Sequence, residues 1–400
     1  MNFRDQIIQF LRDAVLERGE VDRFLDPDTP SWARFDSQLG YLPNDSVVPD
    51  NIDGALSEYR YGSLGERLQI NHADRTTRIN TYGDSFTQCH QVSDGETWQE
   101  TLAAHLGEPL RNFGVGGFGV FHAVERLRRI EAGDGGVPYI VLNIYLDDHY
   151  RNLDGYRRLR VGDWFREYGQ PLTTSMFHAN PWEHVRIDPQ SGELLRQENV
   201  CPTPASLYNL CDPEFLVDRF SEDLVVHKLV GDAVGDFSYL ENHVALMETL
   251  GLRQQPHNGH VAQQLWERSA FRSTRLLLEQ LMREIEATGK KLLVLLTYPS
   301  EVVVDFITSD RRPDQQVLDD LETLGIPYVD GLAIHARDFA SFSTTPERYV
   351  ERYYAGHYTP LGNAFYAFAI KSRLVEWLEP DPPMYRSTDD SFARFAGRLA

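Results

Sequence analysis

The stretch YIVLNIYL, residues 139–146, decides the architecture of this chain. It is a short, near-continuous apolar run. A strand with one wet face would alternate, so this pattern predicts a strand buried on both sides, as in a parallel sheet covered by helices. KKLLVLLTYP at 290–299 reads the same way. Outward from these two, Ile79–Tyr82, residues 110–115 and residues 326–330 read as three further strands. Helical spacing lies between them: Trp98, Leu102 and Leu106; Val120, Ala123, Val124 and Leu127; Leu277, Leu281 and Ile285 within 261–287. Pro313 opens a helix carrying Val317, Leu318, Leu321 and Leu324, and Gly325 ends it; residues 361–378 form the last helix. Alternating strands and helices predict an α/β fold in three layers, with a five-stranded parallel sheet at its centre. In such sheets a ligand site lies beyond the carboxyl ends of the strands.

The expected organisation is an N-terminal helix and irregular arm over 1–74, a core formed by 75–150 and 260–380, an inserted cap over 151–259, and a tail over 381–400. VRIDPQSGELL in the cap reads as a hairpin, and Trp164, Phe165, Trp182 and Tyr208 are expected in a pocket wall. With 39 Lys+Arg against 60 Asp+Glu, the net charge is −21, which repels phosphate backbones and anionic lipid and argues against nucleic-acid partners. Three cysteines in 400 residues imply no disulfide framework, and a reducing cytoplasm is the expected compartment. The first helix carries Phe3, Ile7, Ile8, Leu11 and Val15 with charges between them, so it is not read as a signal peptide. No apolar run approaches the roughly 18 residues of a membrane span.

Three segments at the predicted sheet edge carry polar groups suited to chemistry. In RINTYGDSFTQC, residues 78–89, Gly83-Asp84-Ser85 follows a strand and precedes a helix. Helix capping by Asp84 or Ser85 is the plain reading. The other reading is a serine nucleophile whose neighbouring backbone N–H groups can face an oxyanion. NFGVGGFGV at 112–120 lets the backbone approach a ligand closely, and AGHYTPLGN at 355–363 places His357 in a loop before the last helix.

These blocks resemble those of the SGNH hydrolases, the GDSL esterase and lipase superfamily. The resemblance covers 75–150 and 290–378, and YGSLGERLQ at 61–69 is also similar to what precedes the GDS block in bacterial members. It implies a flavodoxin-like SGNH fold with Ser85 as nucleophile and His357 as base. Gly117, in the block beginning at Asn112, is implied as an oxyanion donor, with Asp84 and Asn112 in support. The third block ends in Asp147 where the family has an asparagine oxyanion donor, and an ionised carboxylate cannot donate. Three residues before His357 stands Tyr354, not the family's acid, and two before it Ala355; Glu351 is the nearest carboxylate in sequence.

The resulting expectation is a Ser–His esterase or acyl-transferring enzyme acting on a small-molecule or carbohydrate ester, with no cofactor and no metal. The alternative is a non-catalytic ligand-binding module on the same fold. Gly114, Gly116 and Gly119 also match G-x-G-x-x-G, a possible pyrophosphate cradle. Asp147, Asp148 and His149 cluster three potential metal ligands, but not at a strong zinc spacing; the plain reading is a polar strand end with Arg151 pairing one of the aspartates. Cys89 reads as a buried thiol.

Overall fold

A computed structural model describes residues 2–49, 54–167, 180–253 and 255–386, with side chains described for all of these except 163–167. The tail beyond Arg386 and the side chains of Trp164 and Phe165 therefore lie outside what is described.

The central sheet has five strands: β1 (Ile79–Tyr82), β2 (Leu110–Asn112), β3 (Tyr139–Tyr145), β4 (Lys291–Thr297) and β5 (Tyr328–Asp330). All pairings are parallel, in the order β2-β1-β3-β4-β5. This is the doubly wound order whose switch point lies between β1 and β3. β3 is buried from Tyr139 to Ile144 and β4 from Leu292 to Thr297, which is why both read as near-continuous apolar runs. The register sets Tyr82 beside Leu142 and Thr81 beside Asn112, so β1, β2 and β3 end close together. Past the end of β2, Phe113 N–H donates to Thr81 O (2.8 Å) and Val115 N–H to Gly83 O (3.0 Å), which ties the glycine-rich loop to the turn after β1.

Trp98–Leu106 packs on Pro360–Trp377, while Val120–Glu131 and Gln315–Thr323 both pack on the long helix Gly259–Thr288. The sheet lies between these two helical layers in a mainly apolar core, with Asn143 of β3 buried against Thr297 of β4 and donating to its hydroxyl at 3.1 Å. Capping places the helix ends: Thr97, Asn258 and Thr359 accept backbone N–H bonds at three N-termini, and Gly107 and Gly289 close two C-termini at positive φ.

The arm has more order than its sequence suggests. A second helix, Arg18–Leu25, follows the first, and two antiparallel hairpins follow it: Ala33–Asp36 with Gly40–Pro43, and Ser46–Pro49 with Leu56–Tyr59. The strands of the second hairpin are four residues long with two side chains exposed in each, too few inward positions to stand out. The cap hairpin is present as His184–Ile187 with Leu194–Gln197. Arm and cap share a second apolar core, built from Ile7, Leu11 and Tyr41 of the arm and Leu207, Leu216 and Phe220 of the cap. Val115 and Phe118 of the glycine-rich loop belong to it, so this core rests on the edge of the sheet where β1 and β2 end. No helix among the described residues is long and apolar enough to cross a membrane.

Candidate active site

The turn after β1 begins at Gly83, at φ +151°. A Cβ there would lie 2.2 Å from Thr87 Oγ1 and 2.5 Å from the Asn143 carbonyl oxygen, so only glycine lets the chain pass this close to β3. Asp84 then caps the one-turn helix Ser85–Gln88, accepting the Phe86 N–H at 2.9 Å. Capping and a nucleophile position therefore coexist here, with Asp84 as the cap and Ser85 as the first helical residue. The Ser85 N–H has no acceptor among the described residues, as befits the first turn of a helix.

The glycine-rich loop packs directly on this helix. Asn112 Oδ1 accepts the Gly114 N–H (3.0 Å) and bends the chain out of β2. A Cβ on Gly114 would fall 2.2 Å from Gln88 N, and the Gly116 N–H donates to Gln88 Oε1 at 2.7 Å. A Cβ on Gly119 would lie 2.8 Å from both Arg151 Cβ and Asp148 O. Gly114 and Gly119 thus serve close protein packing, which leaves the G-x-G-x-x-G match without an open phosphate cradle. Gly117 sits at φ +86°, and its N–H has no acceptor among the described residues.

His357 arrives from the far end of the chain on a minimal hairpin, Tyr354–Ala355 with His357–Tyr358, turned at Gly356. Its Nε2 lies 2.8 Å from Ser85 Oγ. The rings of Phe86 (5.2 Å between centroids) and His90 (5.1 Å, stacked) pack against it. Burial pushes the His357 imidazole well below the usual histidine range, and nearby His90 and Arg151 push the same way. Burial and Arg67 likewise lower His90, to about 4.

Tyr354 is not turned toward the imidazole of His357. Its hydroxyl donates to Tyr298 O (3.2 Å) and lies 3.0 Å from His335 Nε2. Glu351 is exposed, and among the described residues no carboxylate bonds His357. Gln91 occupies the place instead. Its Oε1 is 3.1 Å from His357 Nδ1 and 2.9 Å from the His357 backbone N.

Asp147, which stands where the family has its asparagine donor, is held by arginines. Its Oδ1 accepts from Arg160 (2.8 Å) and its Oδ2 from Arg151 (2.8 Å) and Arg160 (3.2 Å). Burial alone would raise this carboxyl, but Arg160 and Arg151 outweigh it and hold it below the usual carboxylate range. Asp147 is therefore an ionised acceptor with both oxygens engaged. Asp148 turns back instead, accepting from Tyr145 N (2.9 Å) and Arg151 Nη1 (2.6 Å), while His149 Nδ1 meets Thr274 Oγ1 at 2.8 Å. Asp147 and Asp148 are thus both engaged by Arg151, while His149 faces Thr274.

Arg151 joins this cluster to the serine. Its Nη1 reaches Asp84 Oδ2 (3.3 Å) and Phe118 O (2.9 Å), and the same Asp84 oxygen is 3.2 Å from Ser85 Oγ. Burial raises the carboxyls of Asp84 and Asp148 against the pull of Arg151. Cys89 is buried with its thiol pushed up to about 12 by desolvation, so it is no second nucleophile. Trp182 packs between Tyr41, Phe118 and His122 inside the second core, and the Tyr208 hydroxyl donates to Asp22 Oδ1 (2.6 Å).

The arrangement therefore offers a hydroxyl bonded to an imidazole nitrogen, and two backbone N–H groups without acceptors on adjoining loops. Gln91, Arg67, His90 and Arg151 complete it. Of these, sequence reading touched only Arg67, inside YGSLGERLQ, and Arg151 as a partner for the aspartates. No protein-family model matches the chain, and no curated protein matches it.

Proposed function

We propose that this protein is an ester hydrolase or acyl-transferring enzyme of the SGNH type, acting through a Ser85–His357 pair. One observation carries the reading: Ser85 Oγ and His357 Nε2 stand 2.8 Å apart although 272 positions separate them in sequence. Proton transfer from a serine hydroxyl needs a base within about 2.6–3.2 Å.

In this reading the Ser85 hydroxyl gives its proton to His357 Nε2 as Oγ bonds the acyl carbon. The carbonyl oxygen gains the negative charge, and the N–H groups of Ser85 and Gly117 receive it. The imidazolium returns the proton to the leaving alkoxide, which departs as alcohol. Water, or a second alcohol in acyl transfer, then attacks the acyl-serine with His357 again taking the proton; the Ser85 Oγ–acyl bond breaks, the acid or new ester leaves, and the imidazolium returns the proton to Ser85 Oγ. A small-molecule or carbohydrate ester is the substrate class the resemblance favours. The three free cysteines support a cytoplasmic, reducing setting.

The test is labelling by a fluorophosphonate together with turnover of p-nitrophenyl acetate and of an acetylated oligosaccharide. Wild type should be labelled at Ser85 and should turn over one of the esters. Ser85→Ala should lose label completely and turnover by roughly 10³-fold or more. No label and no turnover, with sugar-ester stabilisation that survives Ser85→Ala, would replace this reading with a binding module.

A further inference from the structure

We infer that Gln91 is the positioning residue of this site: its side-chain carbonyl holds the proton of His357 on Nδ1 and turns Nε2 toward Ser85. The inference rests on the Ser85–His357 reading and adds what orients the base.

The argument begins with one atom that meets two others. Gln91 Oε1 lies 2.9 Å from the His357 backbone N and 3.1 Å from its Nδ1. A backbone N–H can only donate, so the atom facing it is the amide oxygen and not the amide nitrogen. That oxygen has no proton to give. Nδ1 must therefore carry the hydrogen, and in a neutral imidazole Nε2 is then the bare acceptor. Nε2 is the nitrogen 2.8 Å from Ser85 Oγ. One acceptor thus sets both the tautomer and the ring orientation that a serine nucleophile requires, which is the first task of the acid in a Ser–His–Asp triad.

Gln91 is itself held in place. It is buried and sits at φ +74°, unusual for a residue with a side chain. Its N–H donates to Tyr59 Oη (2.6 Å), and its carbonyl accepts from Ser57 Oγ (2.9 Å). Both partners come from the arm hairpin ending at Tyr59. Arg67 clamps the surrounding loop by donating to the carbonyls of Gln88 (2.7 Å), Cys89 (3.0 Å) and Val92 (2.8 Å) and to Asp94 Oδ1 (3.1 Å). A rare backbone conformation tied down from both sides is where positioning roles are found.

An amide differs from a carboxylate in one respect. It orients the ring without stabilising the imidazolium by charge. Among the described residues, the polar groups close to His357 are Ser85, the stacked His90 ring and Gln91, with Arg151 and Asp84 behind the serine; Phe86 supplies apolar surface. None of these is a carboxylate in contact with the ring. His357 should therefore stay unprotonated, and the base stay competent, at acid pH.

The experiment is a 15N NMR titration of the full-length protein labelled at histidine, run beside pH profiles of ester turnover. Wild type should show the Nδ1–H tautomer for His357, with a midpoint below the usual histidine value. Gln91→Glu, which adds a carboxylate in the same shape, should raise that midpoint by at least about one unit, and the acid limb of kcat/KM should move with it. Gln91→Leu should lose the Nδ1–H signature and lower kcat by about tenfold or more with KM within about twofold. The inference falls if Gln91→Glu leaves both the titration and the acid limb unmoved, or if Gln91→Leu keeps the Nδ1–H tautomer. Should no variant turn over any ester while the NMR shifts follow this pattern, the hydrolase reading fails and the placement of Gln91 stands.

Discussion

Asp147 is the residue whose environment most changes its meaning. Where the resemblance asks for an asparagine amide, the chain has a carboxylate enclosed by Arg151 and Arg160. Asp147→Asn puts the family's residue back and tests whether the position belongs to the site. Both carboxylate oxygens now accept from guanidinium groups, so the new amide would turn its nitrogen against donors. The expected outcome is a loss of about 1–3 kcal/mol in urea unfolding at pH 7, with kcat raised by no more than about twofold. The pH dependence has a definite sign. The folded carboxyl is depressed, so its stabilisation is fully present above the unfolded carboxylate value and is lost as pH falls through the folded one. The difference between wild type and Asp147→Asn should therefore shrink with acidification. Gly114 offers a steric test at the same scale. A Cβ there would sit 2.2 Å from Gln88 N and 2.7 Å from Thr87 Cβ. Gly114→Ala should cost about 1–3 kcal/mol and slow fluorophosphonate labelling of Ser85, because the loop must move off the nucleophile helix.

At the scale of elements, the segment from Gly83 to Val92 is held mainly by groups outside it. The helix Ser85–Gln88 is a single turn, far too short to be stable alone. Cys89 and Gln91 both adopt positive φ, at 61° and 74°. Arg67 supplies what the segment lacks: four donors to its carbonyls and to Asp94, with its guanidinium over the Tyr59 ring at 4.4 Å. Its side chain is only 2% exposed, as is that of Asp94, so removing the cation leaves the buried Asp94 with Arg60 as its remaining ion pair and takes the donor from three loop carbonyls. Arg67→Met should destabilise by roughly 3–5 kcal/mol, read by denaturant unfolding. Tyr59→Phe removes one acceptor from the Gln91 N–H and should cost about 1–3 kcal/mol, with a larger fractional loss of turnover than of folded protein. The element-level patterns in the sequence were clear where burial is complete. The runs in β3 and β4 and the capped helices Trp98–Leu106 and Gly259–Thr288 are legible for that reason. The second arm hairpin was not, because each of its four-residue strands leaves two side chains exposed. Gln91 was not legible either. A glutamine carries no signature of its own, and its partner is 266 positions away.

Across the whole molecule, two apolar cores meet at the glycine-rich loop. One fills the space around the sheet, and the other joins arm to cap through Val115 and Phe118. Leu11 is fully buried in the second, on the first helix, about a hundred positions before that loop. Leu11→Ala should cost about 2–5 kcal/mol. In hydrogen exchange its effect should spread to residues 114–119 and spare β3 and β4. Uniform acceleration would mean that the two cores unfold as one unit.

The sequence by itself determined the parallel sheet, its helices and the identity of Ser85 and His357 as the residues to watch. Those signals are local: apolar runs, caps, and a glycine that only one backbone path requires. Only the tertiary structure decided that Ser85 Oγ and His357 Nε2 lie in contact, that Asp147 faces arginines, and that an amide stands at Nδ1. The contacts at His357 join segments 272 and 266 positions apart and are set by strand order and loop packing, while Asp147 meets Arg151 and Arg160 only 4 and 13 positions on, where the folding of the intervening turns decides which way each side chain faces.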